Sequence, residues 1–242
     1  KSVEGKIIHA VNYTDGWYQN ELKKDGGWSL EMIDTKNPCS GFTNWKASTN
    51  LSGGTPGKKN AEDAANNDAT APQLLRAYAA NETSITLFFD EPVDSAKGAS
   101  VNNYSITNGI GVPLSAVTVG PVFDKVNLTL SAPLLPNTVY TITANGVTDC
   151  VGNNLGTKNT ARVGLSVLAD SLDVVINEIL FNPLPNGTDY VEIYNRSSKI
   201  IDLKQVSLAN RNSNNEISSI EQLSTDNYLL FPQDYLVVTE SP

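Results

Sequence analysis

Several groups of residues in this chain have the chemistry of a site. The densest is acidic: Asp90, Glu91 and Asp94 stand close together around Pro92. Calcium takes oxygen ligands of this kind, and the stretch at 149–154 joins them only if both lie at one end of the same fold. No EF-hand spacing accompanies the cluster. Glu178 and Glu192 form a second pair, at matching points of two strand-like runs. Carboxylates held about 5–9.5 Å apart can serve as acid and base on a glycosidic bond. Here each alternates with apolar residues, which favours a structural role on a solvated sheet. His9 is the single histidine, and no partner for a base or a metal ligand is identifiable, so an ordinary strand histidine is expected. Trp17 and Tyr18 adjoin in a loop. Paired aromatics can stack on sugar rings, and these two are the ligand contacts that the sequence suggests; the competing role is packing against a neighbouring module.

Other chemistries are missing from the pattern. There is no glycine-rich phosphate loop, no Gly-x-Ser-x-Gly elbow and no metalloprotease histidine pair. Catalytic and cofactor-binding residues are therefore expected to be none, and metal ligands none, with calcium at the acidic cluster as the one exception to watch. The formal charge of −9 over 242 residues disfavours nucleic acid, because phosphate contacts need clustered Lys and Arg. No run approaches the ~20 apolar residues of a membrane-spanning helix. Cys39 and Cys150 leave their pairing open. A bridge would require the last loop of one module to touch a loop of the next, and two separate thiols are the simpler expectation.

The elements that would position these residues are strands. Residues 84–89, 125–130 and 138–144 alternate apolar and polar side chains, separated by Asn, Gly and Pro turns. Trp28, Leu30 and Met32 share one face of a run that follows the Asp25-Gly26-Gly27 turn. Residues 6–13 read as a short strand, apolar on both faces. Residues 61–67 and 165–171 read as linkers. Short strands, regular turns and no amphipathic helix make the expected class all-β, built from sandwiches.

Specific motifs then suggest families. Asp68-Ala69-Thr70-Ala71-Pro72, Leu87-Phe88-Phe89-Asp90-Glu91-Pro92-Val93-Asp94, Leu135-Pro136-Asn137-Thr138-Val139-Tyr140 and Val147-Thr148-Asp149-Cys150-Val151-Gly152-Asn153 resemble the bacterial immunoglobulin-like domain of surface-layer proteins, over residues 68–164. Ile176-Asn177-Glu178-Ile179 and Tyr190-Val191-Glu192-Ile193-Tyr194-Asn195, continuing to Tyr235-Leu236-Val237-Val238, resemble the opening of a lamin-tail domain, over residues 172–242. Residues 1–60, with Gly26-Gly27-Trp28-Ser29-Leu30-Glu31 and Asn44-Trp45-Lys46-Ala47-Ser48, resemble its closing half. Both ends thus fall inside a recognisable module. The chain is expected to be a piece of a longer one, so the lack of a signal peptide says nothing about location.

The resemblance implies two immunoglobulin-like sandwiches, one from the middle segment and one assembled from the N- and C-terminal segments. A half of about 60 residues is marginal alone, and closure within one monomeric chain is expected over a swapped dimer. It also implies a non-enzymatic extracellular or cell-surface module for structure or adhesion, with a protein or glycan partner. The alternative is a carbohydrate- or calcium-binding accessory module of a secreted hydrolase.

Overall fold

The computed structural model describes residues 2, 3, 5, 9–185 and 187–239. The chain is nearly all-β. Its largest core belongs to the middle segment. Strands β3 (Leu74–Asn81), β4 (Ser84–Phe89), β5 (Tyr104–Ile106), β6 (Ser115–Thr118), β7 (Lys125–Thr129), β8 (Tyr140–Ala144) and β9 (Thr160–Val163) follow β1 (Leu30–Met32) and β2 (Trp45–Ala47) of the N-terminal segment. They form a four-stranded sheet, β3-β4-β7-β6, and a three-stranded sheet, β5-β8-β9.

The alternation in the sequence becomes the inner face of this sandwich. Ile85, Leu87 and Phe89 of β4 meet Val126 and Leu128 of β7, with Ile142 and Ala144 from the facing sheet. Fully burying a side chain of this size contributes about 1.5–3 kcal/mol, and the whole inner face is apolar. The two large polar-tipped residues inside it find partners, as buried hydroxyls must. Tyr104 donates to the Gly98 carbonyl at 2.7 Å, and the Tyr140 hydroxyl accepts from the Leu135 amide at 2.9 Å. Asp94 caps the single-turn helix α1 (Ser95–Gly98) by accepting from the amides of Ala96 and Lys97.

The C-terminal segment contributes β10 (Val174–Leu180), β11 (Tyr190–Asn195), β12 (Ile201–Asp202), β13 (Ser207–Arg211), β14 (Ile217–Gln222), β15 (Leu229–Leu230) and β16 (Tyr235–Thr239). These make the sheets β10-β11-β16, β12-β15 and β13-β14. Their own core is small: Ile193, Leu203 and Leu230, with Val174, Val191, Leu223 and Leu236 against them. Buried Asn195 ties the strands together, donating to the carbonyls of Lys199 and Leu230 and accepting from Ser197. A second apolar cluster, Ile200, Leu229 and Phe231, packs on Tyr78 and Val139 of the middle sandwich. Gly164 is required there, because a Cβ would come within 2.7 Å of the Thr138 carbonyl oxygen as well as 2.2 Å of the Ile200 Cδ1. Arg162 lies over the Phe231 ring and pairs with both carboxylate oxygens of Asp234, at 3.0 and 2.6 Å.

The N-terminal segment is held differently. Ahead of Pro72, Ala47 is the only buried apolar side chain among the described residues. Polar networks replace a core. Asn44, wholly buried, donates to the carbonyls of Asp34 and Asn37 and accepts from the Asp34 amide. Buried Glu31 accepts from the Thr55 hydroxyl at 2.7 Å and from the Glu62 amide at 3.2 Å. Burial alone would raise the Glu31 pKa, but hydrogen bonds from Thr55, Ser48, Ala61 and Ser29 outweigh it and hold it below the ordinary value. Residues 61–67 run along this segment: Glu62 pairs with Lys46, and Asn66 bonds Asp34, Thr43 and Asn44.

Three expectations need revision. Among the described residues no sheet joins 1–60 to 172–242, so these residues do not display the single sandwich expected from the two segments. The physical reason is the second difference: Cys39 and Cys150 form a disulfide rather than two separate thiols. That bond holds the N-terminal segment against the loop after β8, whereas the C-terminal segment docks beside Thr138 and Val139, before β8 begins. The strand expected at 6–13 is the third: Lys6, Ile7 and Ile8 lie outside the described residues, and 9–13 carry no strand.

Because a segment with so little core depends on the bond across 111 positions, opening it should cost roughly 2–5 kcal/mol. Cys150→Ser is expected to expose residues 9–68 to limited proteolysis while the middle sandwich stays resistant. Equal protease resistance in the two proteins would refute this.

Candidate functional site

The features that the sequence singled out converge at one end of the middle sandwich. Three loops build that end: the turn after β4 at 90–94, the turn before β7 at 121–124, and the stretch after β8. They are set level by the backbone itself, through a bridge between Val93 and Asp149 and a bond from the Asp94 amide to the Thr148 carbonyl. The N-terminal segment lies across them, fixed by Cys39–Cys150, and a cleft of about 610 Å³ opens between the two.

One wall of the cleft is aromatic. Trp17 and Trp45 meet at 6.3 Å between ring centroids, tilted by 43°, and Phe42 and Phe123 lie beside them. Trp17 sits in a short 3-10 turn, Asp15–Tyr18, and is partly exposed. Tyr18 does not line the cleft; its hydroxyl donates to the Trp28 carbonyl at 3.2 Å. The two adjacent aromatics therefore do not form a shared platform, and Trp45 takes the place that Tyr18 was expected to hold. His9 lines the same cleft, with Nε2 3.2 Å from the Pro38 carbonyl.

Two members of an acidic cluster, Asp68 and Glu91, line the cleft as well, and the third, Asp149, is buried. One carboxylate oxygen each from Asp68, Glu91 and Asp149 lies within 4.8 Å of the others. Asp68 was not among the acids singled out, since it lies 23 positions before Glu91 and beyond any local spacing. Asp90 and Asp94 are engaged elsewhere, Asp90 with the Gln73 amide and Asp94 as the cap of α1. Two of the converging carboxylates are already well bonded. Asp149 Oδ1 accepts from the amides of Val151, Gly152 and Asn153, and Oδ2 from the Asn153 side chain. Asp68 accepts from the Thr70 amide and the Ser40 hydroxyl.

Glu91 is the member left over. Its Oε1 is buried without a hydrogen-bond partner. Burial, and then the charges of Asp68, Asp90 and Asp149, push its pKa up to about 7. Near neutral pH the group thus holds a proton about half the time. A cation bound among the three would remove the same repulsion, but calcium takes roughly 6–8 oxygens. The cluster supplies three carboxylates, two of them committed to loop amides and hydroxyls.

The other pair of acids is remote from this end. Glu178 and Glu192 face each other in register across β10 and β11. Glu178 accepts from the Tyr190 hydroxyl at 2.6 Å, and Glu192 accepts from the Asn177 side chain at 2.7 Å. Those bonds brace an open sheet and leave neither acid aimed into a pocket.

Comparison with known proteins agrees with the division of the fold. Residues 62–166 match the family model of the bacterial Ig-like domain, and residues 168–242 match that of the lamin tail domain. No curated protein matches the chain. Among solved structures, the N-terminal part of the bacterial S-layer protein SbsC is 19% identical with a TM-score of 0.37, over 72% of this chain and 42% of that one. A longer form, rSbsC(31-844), is 20% identical with the same TM-score, over 72% of this chain and 24% of that one. The chain thus spans less than half the length of either.

A carboxyl whose folded pKa is raised from 4.5 to about 7 lowers stability as pH rises through that window. In chelator-containing buffer, Glu91→Gln should be more stable than the parent above about pH 7. The gap should close as pH falls to the ordinary carboxyl range. Paired thermal melts across that range would measure it, and a gap independent of pH would refute the assignment.

Proposed function

We propose that this chain is a non-enzymatic structural module that works outside the cytoplasm, at a cell surface or in a secreted protein. The observation that carries the reading is the Cys39–Cys150 bond. A bond of this kind persists in oxidising surroundings and is rare in the cytosol. Its place matters as much as its presence. It fastens a coreless segment onto the end of an immunoglobulin-like sandwich, a use that stiffens the joint between modules. The families matched by residues 62–166 and 168–242 support the same reading. No helix among the described residues is long and apolar enough to cross a membrane. Adhesion fits as the outcome of displaying such modules, with the loops at the cleft end as the contact surface.

A second reading rests on the cleft. Trp17 and Trp45, in a cleft that Asp68 and Glu91 also line, have the chemistry of an accessory site for carbohydrate, or for calcium beside it. The two readings separate in one titration. Trp17 and Trp45 border the cleft, so their fluorescence would report any occupant. Under the structural reading, calcium and a panel of soluble glycans leave the emission unchanged. A saturable change that Trp17→Ala removes would overturn that reading in favour of the second.

A further inference from the structure

We infer that the cleft at the end of the middle sandwich takes an arginine side chain of a partner protein. The inference rests on the reading of that end as the module's contact surface, and it names the chemistry of the partner.

Two kinds of side chain line the cleft. Trp17, Phe42, Trp45 and Phe123 supply aromatic rings. None of the four is buried, and Phe42 is 51% exposed. Rings left open in a concave site are binding surface rather than core. Phe123 is also held at a φ of 65°, a left-handed conformation that a bulky residue seldom adopts. Its carbonyl accepts from the Val93 amide at 2.9 Å, and its amide donates to the Val119 carbonyl at 3.0 Å. The cleft's 610 Å³ lies within the range of roughly 300–1,000 Å³ found for ligand clefts.

The second kind is acidic: Asp68, Asp90, Glu91, Asp94 and Asp124. No Lys or Arg lines the cleft, where His9 is the one basic residue. None of the five acids enters an ion pair among the described residues. The charges of Asp68, Asp90 and Asp149 add to burial in pushing Glu91 up to about 7. The cleft is thus short of positive charge.

Negative charge among open rings selects the occupant. A sugar can stack on the rings but leaves the charge unmatched. Calcium matches the charge but takes roughly 6–8 oxygens and gains little from a ring. A quaternary ammonium suits the rings but donates no hydrogen bond to the acids. Arginine does both, because its guanidinium is flat enough to stack and carries five donors in a fork that fits a carboxylate. The chain already uses this arrangement internally. Arg162 lies 4.3 Å from the Phe231 ring centroid and pairs with both carboxylate oxygens of Asp234.

A fluorescence titration of the full chain with its disulfide intact tests this. The probe is capped Gly-Arg-Gly, and the control replaces its arginine by citrulline, uncharged and nearly the same shape. Trp17 and Trp45 border the cleft, so the arginine peptide should give a saturable change in emission. The citrulline peptide should bind at least about tenfold more weakly. Binding should also weaken as ionic strength rises from about 0.01 to 1 M. Phe42→Ala should weaken it about threefold, and Glu91→Gln with Asp124→Asn about tenfold. Both variants keep the tryptophans that report binding, and if one fails to fold the other decides. No saturable response to the arginine peptide overturns the inference. So does equal binding of the citrulline peptide, or binding that survives the folded variants unchanged. Silence from glycans as well would leave the structural reading standing without this partner. A response to glycans and none to arginine would remove both in favour of the carbohydrate site.

Discussion

The bond between Cys39 and Cys150 joins a segment with almost no apolar interior to a sandwich that has a complete one. Without burial to drive it, the N-terminal segment relies on Asn44, Glu31 and Asp34 bonding its own loops. Each net hydrogen bond of this kind contributes only about 0.5–1.5 kcal/mol. Loop closure by the disulfide works on the unfolded chain instead, and so supplies what the missing core cannot. Asp68 is held from both sides, its carboxylate accepting from Ser40 and its carbonyl from the Asn153 side chain, and so stands beside Glu91 and Asp149.

At the far end of the sandwich the logic is apolar. Ile200, Leu229 and Phe231 sit on Tyr78 and Val139, and the absent side chain of Gly164 admits Ile200. Arg76, over the Phe88 ring, and Arg162, over Phe231, cover the margins with charge. The middle module thus has different joints at its two ends, one covalent and polar, the other packed.

Much of the fold was legible because strand alternation is a local signal. β4, β7 and β8 lie where apolar and polar residues alternate, and Tyr190 to Asn195 forms β11 as its pattern implied. What stayed hidden was long-range. Nothing local in the sequence shows that Cys39 reaches across 111 positions to Cys150. Nor does spacing reveal that Trp45, rather than Tyr18, would stand with Trp17 in the cleft. The acidic cluster was half legible. Glu91 and the loop after β8 come together as alignment of the sandwich ends required, but Asp68 lies 23 positions before Glu91, beyond any local spacing. Asn and Ser networks such as that of Asn44 have no period, so the polar anchoring of residues 61–67 had no sequence signature.

The central claim is that the covalent joint exists in the protein where it works. A peptide map under non-reducing conditions, on protein recovered from its native setting with free thiols trapped at lysis, tests this most directly. The account predicts one cross-linked peptide pair carrying Cys39 and Cys150, with no trapped thiol at either position. Both cysteines recovered as blocked free thiols would contradict it, and with it the placement of the N-terminal segment and the reading of the chain as an extracellular structural module.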